Sequence, residues 1–127
     1  MKTNKEILDQ FGKYVGSDAF DSSYGSMIEI LNATCPNQMM QDKVELFSRF
    51  SSEEKKIIKE YIYELTSGTI FDFLRIFEEH PEFKIIYEEN GNQVDLNKIS
   101  EMLKAEPIID NGWIQRFSKE LNNESPI

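Results

Sequence analysis

Apolar positions along this chain recur at steps of three and four for most of its length and switch to steps of two only once, near residue 85. The first period marks amphipathic helices and the second a half-buried strand. Thr3 and Glu6 stand at capping-box spacing ahead of Ile7, Leu8, Phe11 and Val15, with Gly16 expected as the stop. Ser17 or Asp18 can cap a second helix whose core stripe is Phe20, Tyr24, Met27, Ile28 and Leu31, although Gly25 and three serines weaken it. Pro36 is expected to end that helix. A third then runs from about Asn37 with Met40, Val44, Phe47 and Phe50 inward.

Ser51 and Glu54 repeat the capping-box spacing and open the strongest element, a helix over about 52–80. Ile58, Tyr61, Ile62, Leu65, Thr69, Phe73, Ile76 and Phe77 trace its expected buried stripe, which Ile70, Phe71 and Leu74 broaden beyond Gly68. A mid-helix Gly costs about 1 kcal/mol against Ala, so the helix is expected to kink or divide there.

After Pro81, Phe83, Ile85 and Tyr87 alternate with Lys84, Ile86 and Glu88. Asn90-Gly91 is the pair a type I′ turn prefers, because both central residues need positive φ. With those two as the turn, Glu89 pairs with Asn92, Tyr87 with Val94 and Ile85 with Leu96, while Glu88 and Asp95 point away. The expected strands are about 83–88 and 93–96. Asn97 can cap a short turn carrying Ile99, Met102 and Leu103, closed by Pro107, and Asp110 or Asn111 starts a last helix with Trp113, Ile114, Phe117 and Leu121 inward. Residues 122–127 read as a frayed tail. The expected fold is mainly α within the α+β class: a single domain over 1–127, with about five to six helices and one small antiparallel hairpin.

Composition narrows the chemistry. The 127 residues include one Cys and one His, and 23 acids against 14 bases give a formal charge of −9. Nucleic-acid binding is not expected, since phosphate contacts rest on Lys and Arg. No run approaches the roughly 20 apolar residues of a membrane span. Residues 1–7 lack the pattern of a secretion signal, so a cytosolic, bacterial-style protein is expected. Cys35 lies in a breaker-rich link with no basic residue nearer than Lys43, which favours a small half-buried side chain over a reactive thiol. His80 suits a helix C-terminus. With no second His or Cys at ligand spacing, no metal, no cofactor and no catalytic residue is assigned. Asp72 has Arg75 one turn along as its natural partner.

Phe71-Asp72-Phe73-Leu74, the hairpin, and Asp110-Asn111-Gly112-Trp113-Ile114-Gln115-Arg116-Phe117-Ser118 resemble a family of small bacterial proteins of unknown function. Its members open on a Leu-x-x-Phe-Gly-like helix, here Leu8-Asp9-Gln10-Phe11-Gly12, and close on Gly-Trp-Ile-x-x-Phe-Ser. Where they often carry Ser-Asp-Gly, this chain has Ile99-Ser100-Glu101-Met102-Leu103. The resemblance implies a fold and no activity. More loosely, the chain is similar to the small acidic immunity proteins that neutralise bacterial toxins.

Acidity is unevenly distributed. Residues 1–66 carry 11 acids and 8 bases, and residues 67–127 carry 12 and 6, so −6 of the −9 lies beyond Thr66. That excess either keeps the surface solvated or forms a docking face for a basic protein, where complementary charge raises association rate and selectivity. The expected contacts are Glu88, Glu89, Glu101 and Glu106, with Trp113 either joining them or anchoring the last helix in the core. The expected function is a non-catalytic protein-binding module with an immunity- or inhibitor-like role. The alternatives are a helical domain that self-associates through exposed aromatics or the outer strand with Ile86, and, last, a carboxylate-based hydrolase. The oligomeric state is left open.

Overall fold

In the computed structural model, which describes residues 1–123, the chain is a mostly helical bundle bearing one two-stranded antiparallel sheet. The Thr3 hydroxyl accepts the Glu6 N–H at 3.2 Å and the Glu6 carboxylate accepts the Thr3 N–H at 3.2 Å, closing the capping box that starts α1 (Asn4–Lys13). The expected stop at Gly16 is absent. A π-helical stretch (Tyr14–Phe20) carries α1 without a break into α2 (Asp21–Leu31), so neither Ser17 nor Asp18 caps anything. Gly16 has another use: a Cβ there would stand 2.8 Å from the Trp113 carbonyl oxygen and 3.0 Å from the Phe117 Cβ. One turn earlier, a Cβ on Gly12 would overlap the Trp113 indole. The two glycines make a groove that lets the last part of the chain lie against the first.

α2 stops at Leu31, ahead of Pro36, and Ala33 turns the chain in a left-handed conformation (φ 58°). Asn37 caps a short 3₁₀ turn (Gln38–Met40) that leads into α3 (Gln41–Ser48). Met40, Val44, Phe47 and Phe50 are half-buried there, on the margin of the core. Ser51 and Glu54 form the second capping box, and behind it α4 (Ser52–Glu79) runs 28 residues as one α-helix. It neither kinks into two elements nor divides at Gly68, and nothing approaches within 4 Å of a Cβ built at that glycine. The face of α4 that packs inward also differs from the expected stripe. Ile62, Ser67 and Leu74 are buried and Ile58, Tyr63, Ile70 and Phe71 half-buried, whereas Tyr61, Leu65, Phe73 and Ile76 point to solvent. The helix carries apolar residues around most of its circumference, so spacing alone could not say which stripe α2 and the C-terminal segment would cover.

The hairpin has the expected register. β1 (Ile86–Glu89) and β2 (Asn92–Asp95) pair Glu89 with Asn92 and Tyr87 with Val94, around Asn90 (φ 51°) and Gly91 (φ 82°). Leu96 N–H donates to the Ile85 carbonyl at 3.0 Å, extending the pairing by one bond. The first strand is shorter than expected, the second keeps its length but starts and ends one residue earlier, and Phe83 is exposed. The reason is local: the Asp95 carboxylate accepts the Asn97 N–H at 3.0 Å and caps α5 (Leu96–Ile99), so no strand remains opposite residues 83 and 84. Asp95 thus takes the capping role expected of Asn97, whose side-chain amide donates to the Phe77 carbonyl at 3.2 Å.

A 3₁₀ turn (Leu103–Ala105) and buried Pro107 lead to α6 (Trp113–Phe117), capped by Gly112 rather than by Asp110 or Asn111. Ser118 then caps a separate turn, α7 (Lys119–Asn122), so Asn122 is helical; residues 124–127 of the expected tail lie outside the described residues. The core has two clusters: Ile7, Leu74, Leu96, Leu103 and Trp113 in one, and Phe20, Tyr24, Leu31, Ile62 and Ile114 in the other. The neighbours Trp113 and Ile114 belong to one cluster each, and Ile70 packs against both. Among the described residues no helix is long and apolar enough to cross a membrane.

Candidate functional site

The first turns of α1 and the segment from the Leu103–Ala105 turn through α6 border an open polar cleft of about 410 Å³. Backbone hydrogen bonding sets its far wall. The Trp113 N–H donates to the Glu106 carbonyl at 3.0 Å and the Ile114 N–H to the Pro107 carbonyl at 3.1 Å. Two of the free donors at the start of α6 are thereby satisfied, and residue 106 is pinned beside that helix. Leu8 and Ile99 give the cleft apolar lining, and Asn4, Lys5, Asp9, Glu106, Asn111 and Arg116 give it polar groups.

On the near wall, Asp9 accepts from Lys5 Nζ at 2.8 Å and from the Arg116 guanidinium at 3.1 Å. The Lys5 hydrogen bond first, and the Arg116 contact with it, hold the Asp9 carboxyl below the usual carboxylate range although partial burial opposes this. Arg116 also lies over the Phe117 ring, 4.7 Å from its centroid. Glu106 is in the opposite condition. It is half-buried, and desolvation raises its pKa; the positive field of Arg116 works against that rise, while Asp9 and Glu101 add to it. Among the described residues no cation comes within ion-pair distance of Glu106. The cleft therefore holds one carboxylate engaged by two cations and one, partly desolvated, with none of its own.

The expected contact residues do not form one set. Glu101 is exposed on the turn after α5, near enough to Glu106 for its charge to be felt there. Glu88 and Glu89 lie on β1, on opposite sides of the hairpin, and line neither this cleft nor the neighbouring one between the end of α4 and α5. Glu89 is tied inward: its carboxylate accepts the Tyr87 hydroxyl at 2.9 Å and the Lys2 N–H at 3.5 Å, and the Tyr87 bond is the main reason its pKa is lowered. Trp113 is fully buried beneath α1, edge-on to Phe11 at 5.5 Å, so it is a core residue and the expectation of a partner contact does not hold for it.

Several other acids of the C-terminal half meet bases of their own, Glu78 with Lys104 at 3.0 Å, Asp95 with Lys84 at 3.7 Å, and Asp72 and Glu79 with Arg75 at 3.5 and 3.6 Å. Cys35 is half-buried, and His80 is exposed as the cap of α4, 3.7 Å from Glu82. Asp9 and Lys5 escaped the reading of the sequence because their relation to Arg116 spans more than a hundred positions. Their i,i+4 spacing was the one local signal, and it looks like any surface pair. No protein-family model matches the chain, and no curated protein and no solved structure matches it.

Proposed function

We propose that this chain is a non-catalytic protein-binding module that receives a cationic side chain of a basic partner in the Glu106 cleft. The observation that supports this is Glu106 itself, a partly desolvated carboxylate with no ion-pair partner among the described residues. An arriving Lys or Arg supplies the missing countercharge, while Leu8 and Ile99 can pack against its methylene stem. Exposed Glu101 beside the cleft and the −6 of residues 67–127 steer such a partner toward it. An inhibitor-like role fits this chemistry, with the acidic module covering the basic surface of an enzyme, and a bacterial cytosol is the setting proposed for it.

The test uses ¹⁵N-labelled chain titrated with a short Lys- and Arg-rich peptide, followed by affinity capture from the native host. Shifts should centre on residues 101–111 and the start of α1, weaken with salt, and vanish in Glu106→Gln. Proteins captured by the wild-type chain and lost by Glu106→Lys should be basic. Shifts spread evenly over the surface, or captured proteins that are neutral and indifferent to Glu106→Lys, would sink the reading.

A further inference from the structure

A row of exposed apolar side chains lies on α4 and contributes nothing to the Glu106 cleft. Ile57, Tyr61 and Leu65 follow one another at steps of four along its outward side, and Ile76 continues the line beyond Gly68 and Asp72, with Phe73 on its margin. Their exposures are 65% for Ile57, 58% for Tyr61, 52% for Leu65, 59% for Phe73 and 43% for Ile76. These five side chains offer on the order of 600 Å² to solvent, close to the roughly 800 Å² each partner gives up in a standard interface. Apolar exposure of that size along one helix stands at the upper end of what the largest patch of a typical monomer shows, about 300–600 Å², and such patches are often functional.

We infer that this face pairs with the same face of a second copy of the chain, the two α4 helices running antiparallel about a twofold axis between Thr66 and Ser67. The pattern of the stripe favours a copy of itself over a foreign helix. A twofold contact must be self-complementary, and this stripe reads compatibly in both directions. Reversal sets Ile57 opposite Ile76 and Tyr61 opposite Asp72, so that the phenol can donate to the carboxylate. It also sets Leu65 opposite Gly68. That glycine weakens the helix and faces open space, with nothing within 4 Å of a Cβ built there, so its missing side chain serves no packing in its own chain. In the pair it forms the hollow that each Leu65 of the other copy enters. Charge agrees with the reversed order: Arg75 comes level with Ile58 of the second copy, within one turn of that copy's Glu60 on the same flank. Parallel alignment would set Arg75 on Arg75 and Glu60 on Glu60.

Sedimentation equilibrium of the full chain carrying Cys35→Ser, taken up to about 1 mM, should show a monomer–dimer equilibrium. Leu65→Glu should weaken it at least about tenfold, because it places a charge at the centre of the contact, while the circular dichroism spectrum stays that of the parent. In the same background, a mixture of Tyr61→Cys and Asp72→Cys chains should form a disulfide-linked heterodimer on mild oxidation, and Tyr61→Cys alone should not link to itself. A chain that stays monomeric throughout overturns the inference, as does dimerisation indifferent to Leu65→Glu. Self-linking of Tyr61→Cys in preference to the mixed pair overturns the antiparallel arrangement.

Discussion

Ser118 donates its hydroxyl to Asp21 at 2.5 Å across 97 positions of sequence, and the same carboxylate accepts the Lys119 N–H at 2.7 Å. The Ser118 oxygen in turn accepts the Leu121 N–H at 3.1 Å. One fully buried serine therefore caps α7 and holds it to the start of α2. Hydrogen bonds to a charged acceptor are worth about 1.5–3 kcal/mol, so Ser118→Ala and Asp21→Ala should each lower unfolding stability by about 1–3 kcal/mol in urea titrations. Because both variants remove the same bond, the double variant should cost clearly less than their sum.

The three glycines of the helices Asn4–Lys13, Tyr14–Phe20 and Ser52–Glu79 should respond in opposite senses to alanine. Gly16→Ala forces a methyl against the Trp113 carbonyl and Phe117, and Gly12→Ala forces one into the indole. Overpacking of this kind costs typically about 1–3 kcal/mol. In both variants the emission of Trp113, the single tryptophan, should move toward the solvent-exposed wavelength at lower denaturant. Gly68→Ala meets nothing and should raise the stability of the monomer by up to about 1 kcal/mol. Chemical denaturation of the three variants side by side decides the matter.

Those glycines also show where the sequence was readable. Both capping boxes and the Asn90-Gly91 register were legible because each is settled within four to eight residues by backbone geometry. Gly16 looked like a helix stop because the residue that needs its bareness, Trp113, lies 97 positions away. The Glu106 cleft was hidden for the same reason. Its acids were visible, but not that Asp9 would be occupied by Lys5 and Arg116 while Glu106 was left with none.

The assignment of the two faces of α4 is open to direct measurement. Leu74 is buried in the core cluster with Trp113, whereas Leu65 is half exposed. Leu74→Ala should cost about 2–5 kcal/mol, the range for truncating a buried Leu. Leu65→Ala, at concentrations where the chain is monomeric, should stay within about 0.5 kcal/mol of wild type. Equal losses in urea titrations would mean that both faces are covered in the folded monomer.

Asp9 and Glu106 face the same cleft with pKa values displaced in opposite directions, so their contributions to stability must change with pH in opposite senses. The folded-state pKa of Asp9 lies below its unfolded value. Its stabilising contribution is present above the ordinary Asp range and is lost as pH falls through the lowered value. Asp9→Asn should therefore destabilise the chain at neutral pH, by an amount that shrinks toward strongly acidic pH. The folded-state pKa of Glu106 lies above its unfolded value. Its contribution is fully present below the ordinary Glu range and is lost as pH rises through the raised value, so at neutral pH the ionised group weighs against folding. Glu106→Gln should make the chain more stable than wild type at neutral pH, and the advantage should disappear below the ordinary Glu pKa. Arg116→Met removes the cation that restrains both groups, and it should move both carboxyl titrations upward when they are followed by ¹³C NMR. Stability profiles of Asp9→Asn and Glu106→Gln that run parallel across the acid range would show that the two carboxylates do not occupy the distinct environments seen here.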